Sequence, residues 1–438
     1  MYICVNDIQM KRILIDDLKA WKVSRGRKPL IIQGARQVGK TWLMKEFGRN
    51  EFAQVVYLNF ESSSRLKELF LADFDIQRII AVIEIETNTK IEASNTLLIF
   101  DEIQEAEKGL TALKYFFEQA PEYYIIAAGS LLGISLQKNN SFPVGKVDFL
   151  RLYPLSFMEF MESIGEDKLT LALSNANWPI LDLFHEKLVE LLRLYYFIGG
   201  MPEVVANYIQ YKDLNTARDI QQKIIIGYEN DFAKYAPHAI VPKIRMVWQS
   251  LMSQLAKENR KFIYGQIKNG ARAKDFVEAI NWLVDAGLVL KVNRIEKPVL
   301  PLNAYMDYDA FKLFFIDIGL LNAIGNLAPK ILLEKNAILQ EFKGALTEQF
   351  VCQQLKLQYE IYYWTAENAT AEIDFLVQHQ NEIIPIEVKA EENLKSKSLK
   401  VYMDKFAPKL VIRTSMSKYR QESWLTNIPL YGIMSVLK

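Results

Sequence analysis

The run Ile31-Ile32-Gln33-Gly34-Ala35-Arg36-Gln37-Val38-Gly39-Lys40-Thr41 constrains this chain more than any other stretch. It fits the pattern G-x-x-x-x-G-K-[ST] in full. Glycines in such a loop let the backbone turn tightly, so that successive N–H groups point at one anion. Lys40 supplies a point charge for β- and γ-phosphates, and Thr41 a hydroxyl for Mg²⁺. A helix beginning near Lys40 adds its positive end to the same place. The candidate ATP-binding segment is therefore Gly34, Ala35, Arg36, Gln37, Val38, Gly39, Lys40 and Thr41. Context supports it. Lys28-Pro29 interrupts the chain before the apolar run Leu30 to Gln33, which reads as a buried strand. Trp42, Leu43 and Phe47 then fit one face of a helix ending near Gly48. The bland alternative, a turn that binds nothing, does not require this order of strand, loop and helix.

A second apolar run, Thr96 to Phe100, ends in Asp101-Glu102. A parallel strand buried on both faces has this composition. Ligands bind beyond the carboxyl ends of such strands. Asp101 is thus a candidate to hold Mg²⁺ together with Thr41, and Glu102 a candidate base for an attacking water. A third run, Tyr123 to Ala128, leads to Gly129-Ser130. Ser130 either senses a γ-phosphate or caps a turn; the sequence leaves both open.

Composition matters here mainly for what it removes. The chain has 438 residues, half of them apolar and a quarter charged, enough for two to four globular domains. A net charge of +1 gives no global pull toward nucleic acid or membrane. Cys4 and Cys352 are far apart and form no ligand pattern, as expected of reduced thiols in the cytoplasm. No signal-type hydrophobic region opens the sequence. The longest apolar stretch, Tyr123 to Ile134, is too short to span a bilayer.

Strands and helices alternate up to about Tyr208. Helix is expected over Arg12–Trp21, with further strands at Val55–Phe60 and Val147–Leu152. This predicts a parallel α/β sheet covered by helices, with one strand inserted beside the loop strand. Helices from Leu155 to about Ala236 are expected to form a lid, broken at Asn175–Pro179 and at Gly199-Gly200-Met201-Pro202. Helices at Val241–Leu255 and Ala273–Asp285, followed by the strand Leu288–Val292, resemble a winged helix. Such a fold could set the 273–285 helix in a DNA groove. That helix carries little positive charge beyond Lys274, which favours a packing role.

The last hundred residues read as a separate unit. A helix at Phe342–Leu357 precedes a strand at Glu360–Trp364 and a hairpin, Ala371–Val377 with Ile383–Ala390, turning at Asn381. Alternation puts Asp374, Glu387 and Lys389 on one face. Two such carboxylates can hold Mg²⁺ or Mn²⁺, and a nearby lysine can orient water, a set suited to phosphodiester hydrolysis. Glu348 on the preceding helix is a candidate third acid. The alternative is a surface ion pair between Glu387 and Lys389 that contributes little.

Several segments together resemble a large prokaryotic family of AAA-type ATPases carrying a C-terminal domain of unknown function. They are the loop at 34–41, Tyr57-Leu58-Asn59-Phe60-Glu61, Leu98 to Glu102, Leu152 to Phe157, and Gly199 to Glu203. Lys312 to Leu320 is typical of the C-terminal domain, whose last part is similar to the PD-(D/E)XK nuclease fold. Glu348, Asp374 and Glu387-Val388-Lys389 match that motif. The resemblance implies an ATPase core at 1–208, a helical lid and winged-helix-like middle at 209–334, and a nuclease-like domain at 335–438. It implies ATP and Mg²⁺ as ligands, catalysis by Lys40 and Glu102, and a second catalytic set of Asp374, Glu387 and Lys389. Gly145-Lys146 stands where relatives often have Gly-Arg, which leaves Arg151 as the nearest arginine finger. A homo-oligomeric ring is compatible with this. DNA or RNA is the expected target. A switch or scaffold with an inert nuclease fold is the competing class, and a small-molecule kinase a weaker third.

Overall fold

The computed structural model describes residues 10–130, 145–256, 261–329, 340–367, 370–390 and 396–435. Cys4 and the end of the apolar stretch Tyr123 to Ile134 lie outside these residues. The chain forms two compact units. One comprises Lys11–Tyr153 with Asp285–Gly287, and the other holds the rest.

The first unit begins with helix α1 (Leu14–Val23), which buries Leu18 and Trp21. Strand β1 (Leu30–Gln33) runs into the glycine loop, and α2 (Lys40–Glu51) starts at the loop's lysine. Leu43, Met44 and Phe47 form the buried face of α2, whereas Trp42 stands 36% exposed. The apolar face therefore turns one residue away from the expected one. Then come β2 (Gln54–Asn59), the short α3 (Ser64–Lys67), α4 (Ile76–Thr87) and β3 (Thr96–Asp101). Asp75 caps α4 by accepting the Arg78 N–H, worth about 1 kcal/mol for a cap of this kind. Helix α5 (Gly109–Gln119), β4 (Tyr124–Ala128) and β5 (Asp148–Arg151) complete the unit.

All five strands are parallel, in the order β2-β3-β4-β1-β5. β4 is thus inserted between the acidic strand and the loop strand. Every residue of β3 is buried, as a central strand covered on both faces requires. One face packs Phe60, Phe70, Phe100 and Phe116 edge to face or tilted, with Phe60–Phe100 centroids 5.6 Å apart. Registers pair Asn59 with Asp101 and Asp101 with Ala128. The strand tips therefore end level, which brings distant residues to one edge.

In the second unit the helices are α6 (Phe157–Ser163), α7 (Asp167–Ser174), α8 (Trp178–Leu183), α9 (His185–Ile198), α10 (Pro202–Tyr211), α11 (Leu214–Tyr235), α12 (Val241–Leu255) and α13 (Ala273–Asp285). Ser156 and Glu159 form a reciprocal capping box at the start of α6. Antiparallel β6 (Val289–Ile295) and β7 (Met306–Phe315) follow, then α14 (Ile318–Ile324) and α15 (Gln340–Leu355). Strands β8 (Ile361–Thr365), β9 (Glu372–His379) and β10 (Glu382–Val388) precede α16 (Lys397–Phe406). Short strands β11 (Ile412–Ser415), β12 (Arg420–Gln421) and β13 (Thr426–Pro429) close the sheet.

That sheet has eight strands in the order β12-β13-β11-β10-β9-β8-β6-β7. The hairpin β6–β7, expected as part of a winged helix, is its edge. β6 pairs in parallel with β8, Asn293 opposite Tyr362. The expected division at 334/335 falls inside this one structure, and the division at 208/209 falls inside α10. The helices expected as a lid lie in the same compact unit as this sheet. Gln349, Gln353 and Gln354 of α15 accept the backbone N–H groups of Phe315, Ile318 and Phe157 at 2.9, 3.0 and 2.9 Å. These buried amides satisfy chain ends that packing would otherwise leave unpaired.

A second link joins two sequence motifs. Asp317, fully buried at the N-cap of α14, accepts the N–H groups of Gly200 at 2.6 Å and Leu320 at 3.0 Å. Gly199 allows it. A Cβ there would lie 2.2 Å from Asp317 Oδ1, and its backbone is left-handed at φ 72°.

Candidate nucleotide site and a second acidic cluster

The glycine loop is built by backbone shape. Gly34, Gln37 and Gly39 have φ of 154°, 64° and 95°. Gly34 also lies against the chain. A Cβ there would stand 2.3 Å from the Leu152 carbonyl oxygen. Arg12 braces the loop by donating to the Val38 carbonyl at 3.0 Å and the Tyr153 carbonyl at 2.6 Å. Lys40, 6% exposed, donates to the carbonyls of Gly34 at 2.9 Å and Ala35 at 2.8 Å. Burial pulls its ammonium down to about 8, against the raising effect of Glu102 and Asp101. A buried cation whose hydrogen bonds go to neutral carbonyls keeps charge to offer an anion.

Thr41 donates its hydroxyl to Asp101 Oδ2 at 2.7 Å, and Tyr57 donates to the same oxygen at 2.8 Å. Burial pushes the Asp101 carboxyl up, and these two bonds restrain the rise. Glu102 occupies a left-handed backbone position, φ 52° and ψ 44°. A glutamate held there is strained, a feature concentrated at working sites. Its carboxylate accepts the Ser130 hydroxyl at 2.6 Å, the Ser130 N–H at 3.1 Å and the Gln104 amide at 2.6 Å. Burial alone would raise this carboxyl; the bonds from Ser130 and Gln104 and the charge of Lys40 outweigh it and hold it below the usual range.

The structure therefore brings Lys40, Thr41, Asp101, Glu102 and Ser130 to one end of the parallel sheet. Ser130 contacts the candidate base in this state. Arg151 is exposed at the end of β5, and Lys146 is ion-paired with Glu118 at 3.0 Å. Tyr57 and Gln104 were not visible as site residues from the sequence. Tyr57 reaches Asp101 only because β2 and β3 are neighbours. Gln104 lies two residues after the acid, and the left-handed turn folds it back.

The second cluster lies on the eight-stranded sheet. Glu387 is 3% exposed, although alternation suggested an open face. Helices α15 and α16 both pack on β10, so neither face of the strand is bare. Glu387 pairs with Lys389 at 3.0 Å through Oε1, and its buried Oε2 meets no hydrogen-bond donor among the described residues. Burial raises its carboxyl, and Lys389 and the Ser396 hydroxyl work against that rise. Asp374 Oδ2 accepts the Val388 N–H at 2.8 Å, which ties β9 to the Glu387 segment. Glu348 forms no three-acid metal group with Asp374 and Glu387. It lies 3.8 Å from Lys312, a wholly buried lysine that also contacts Glu372 at 2.5 Å. Lys312 sits in an apolar run and gave no sign of this from sequence. Among the described residues, no group of three or more His, Cys, Asp or Glu side chains is placed to share a metal ion. None of the described helices is long and apolar enough to cross a membrane.

Residues 26–161 match a family model described as AAA domain. Two models described as domains of unknown function, DUF8612 and DUF4143, match residues 189–330 and 343–432. Solved structures similar to the chain include a Walker-type ATPase of Pyrococcus abyssi, at 13% identity and a TM-score of 0.47, covering 72% of this chain and 96% of that one. Another is Orc1 of Aeropyrum pernix in complex with DNA, at 10% identity and TM-score 0.26, covering 72% and 90%. AMPPCP-bound DnaA of Aquifex aeolicus is similar at 14% identity and TM-score 0.28, covering 63% and 88%. No curated protein matches the chain. The family match and the loop geometry agree: the N-terminal region is an ATP-binding P-loop domain of the AAA type.

Proposed function

We propose that this chain binds ATP with Mg²⁺, hydrolyses it, and couples the cycle to a C-terminal nuclease-like domain acting on nucleic acid in the cytoplasm. The observation that carries the first half is the Thr41–Asp101 contact of 2.7 Å beside a buried Lys40. The cradle fits the ligand: Gly34 lets the loop pack against the Leu152 carbonyl, and the buried Lys40 ammonium donates to the loop carbonyls of Gly34 and Ala35 with Glu102 and Asp101 as its charged neighbours.

In this reading the N–H groups of 34–41 and the Lys40 ammonium bind the β- and γ-phosphates. Thr41 and Asp101 would hold Mg²⁺, which when bound neutralises charge on the phosphate oxygens. Glu102 orients a water and takes its proton as the water oxygen bonds to the γ-phosphorus and the bond to ADP breaks. Ser130 donates toward the γ-phosphate once it leaves Glu102. The test is Mg²⁺-dependent phosphate release by the full chain. No release with saturating ATP would overturn the reading.

Support for the second half is the pairing of Asp374 with the Glu387 segment, and the buried Glu387 Oε2, which no donor among the described residues reaches within hydrogen-bond distance. An acceptor of that sort fits a divalent cation, with Lys389 beside it to orient water. Nucleic-acid cleavage by the full chain, DNA and RNA tested with Mg²⁺ and Mn²⁺, checks it. Lys312 favours the competing reading, an inert fold that binds a protein. Its ammonium already pairs with Glu348 and Glu372, and among the described residues no three acids are placed to share a metal ion. Absence of cleavage alongside intact ATP turnover would select that reading.

A further inference from the structure

Gln104 belongs to the short turn Ile103–Glu105 that follows Glu102. Glu102 enters this turn with left-handed backbone angles. The strained residue thereby brings the side chain two positions later back to its own carboxylate. The two Glu102 oxygens are held differently. Oε2 accepts the Gln104 amide at 2.6 Å and the Ser130 N–H at 3.1 Å. Oε1 accepts only the Ser130 hydroxyl, at 2.6 Å, among the hydrogen bonds observed.

The other end of Gln104 adds an independent observation. Its Oε1 is buried and meets no hydrogen-bond donor among the described residues. A buried carbonyl without a donor is destabilising, and such groups in a folded protein call for an explanation. Methionine would fill the same space without that cost. The bond to Glu102 is what a glutamine provides here and methionine does not.

We propose that Gln104 is a positioning residue for hydrolysis: it anchors Glu102 Oε2, which leaves Oε1 as the oxygen that meets the attacking water. This rests on the ATPase reading above. The Ser130 hydroxyl covers Oε1 in this structure and must turn away before the water can reach it. The backbone N–H of Ser130 and the Gln104 amide keep Oε2 fixed while that happens. Lys40 and Asp101 are the charged neighbours of Glu102, and neither is displaced by changing Gln104.

The test compares Gln104→Met, which keeps length and removes the donor, with Gln104→Lys, which restores a donor. Gln104→Met should lower kcat about tenfold, the scale of one hydrogen bond to a charged group, and leave KM for ATP unchanged. Gln104→Lys should recover most of kcat. In the nucleotide-free chain, the fall in Tm caused by Gln104→Met should vanish in a Glu102→Ala background, because the bond is then already lost. An unchanged kcat in Gln104→Met, a rise in KM matching the fall in kcat, no rescue by lysine in a folded variant, or additive Tm changes would each overturn the inference. The ATPase reading fails separately, if the wild-type chain releases no phosphate; a Glu102→Gln variant that turns over at the wild-type rate would instead remove Glu102 as the base and overturn this inference with it.

Discussion

Thr41 donates its hydroxyl to Asp101 at 2.7 Å, joining the end of the glycine loop to the end of the acidic strand. The two residues meet because β4 lies between their strands and every tip ends level. A hydroxyl and a carboxylate at this separation are complementary without a metal. Tyr57 holds the same Asp101 oxygen from β2, so the carboxylate is fixed from two sides.

Lys40→Ala should abolish tight ATP binding and leave the fold intact. The lysine contacts only the loop's own carbonyls, and its buried charge costs stability without an anion. Titration with a fluorescent ATP analogue and a thermal melt check this. ATP affinity equal to wild type would remove Lys40 from the site, and a collapsed melt would show that its role is structural.

Glu102→Gln should bind ATP·Mg²⁺ and hydrolyse it at least on the order of 10²-fold more slowly, the contribution of a positioned acid–base group. The amide can still accept from Ser130, so binding geometry survives. It cannot take the water's proton. Single-turnover phosphate release measures the step directly. A wild-type rate would mean that another group is the base.

Much of this site was legible because its signals are local. The loop states its own backbone needs at Gly34 and Gly39, and the run Thr96–Phe100 announces a strand buried on both faces. The ties around Glu102 were not legible. Whether Ser130 faces a phosphate or a carboxylate depends on the register that sets Asp101 opposite Ala128. The second unit hid more. Alternation in 371–390 gives a hairpin, but it cannot reveal that both faces of β10 are covered or that β6 joins β8. That pairing is parallel and links segments far apart in sequence. Lys312 is the clearest case. A lysine inside Phe311–Phe315 reads as an interruption of a strand, and its acids lie on α15 and β9. Gly199-Gly200 and Asp317 were each visible as motifs, but not as one contact.

Asp317 predicts a pH dependence of stability. Burial lifts its carboxyl to about 6, although the N–H groups of Gly200 and Leu320 and the Gln353 amide act to lower it. The folded chain therefore holds this proton more tightly than the unfolded chain. The resulting stabilisation is fully present below about pH 4, the ordinary aspartate range, and is lost as pH rises through 6. The change is on the order of 3 kcal/mol for a shift of this size. Asp317→Asn removes that component, whatever constant cost its amide brings. The difference in Tm between variant and wild type should thus move in the variant's favour from pH 4 to pH 7. A difference that stays flat would show that Asp317 is not the titrating group.

The C-terminal cluster gives the last prediction. Glu387 is buried with one oxygen lacking a donor, and its carboxyl is raised by that burial. Burial is the largest effect; Lys389 and the Ser396 hydroxyl oppose it, and the Asp374 charge adds a smaller rise. A divalent cation should therefore stabilise the chain by binding the folded state alone. The measurement needs the full chain, because β6 and β7 complete the sheet and a fragment from residue 338 onward would expose the edge of β8. It also needs the nucleotide site silenced, so the background is Thr41→Ala without nucleotide. Millimolar Mn²⁺ should raise Tm in that background. Adding Asp374→Asn should reduce the rise and abolish any cleavage, while leaving metal-free stability no lower, since one of two like charges is gone. If Mn²⁺ produces no shift and the wild-type chain cuts neither DNA nor RNA, the pairing of Glu387 with Lys389 is a structural ion pair. The domain then acts by binding rather than by cleavage.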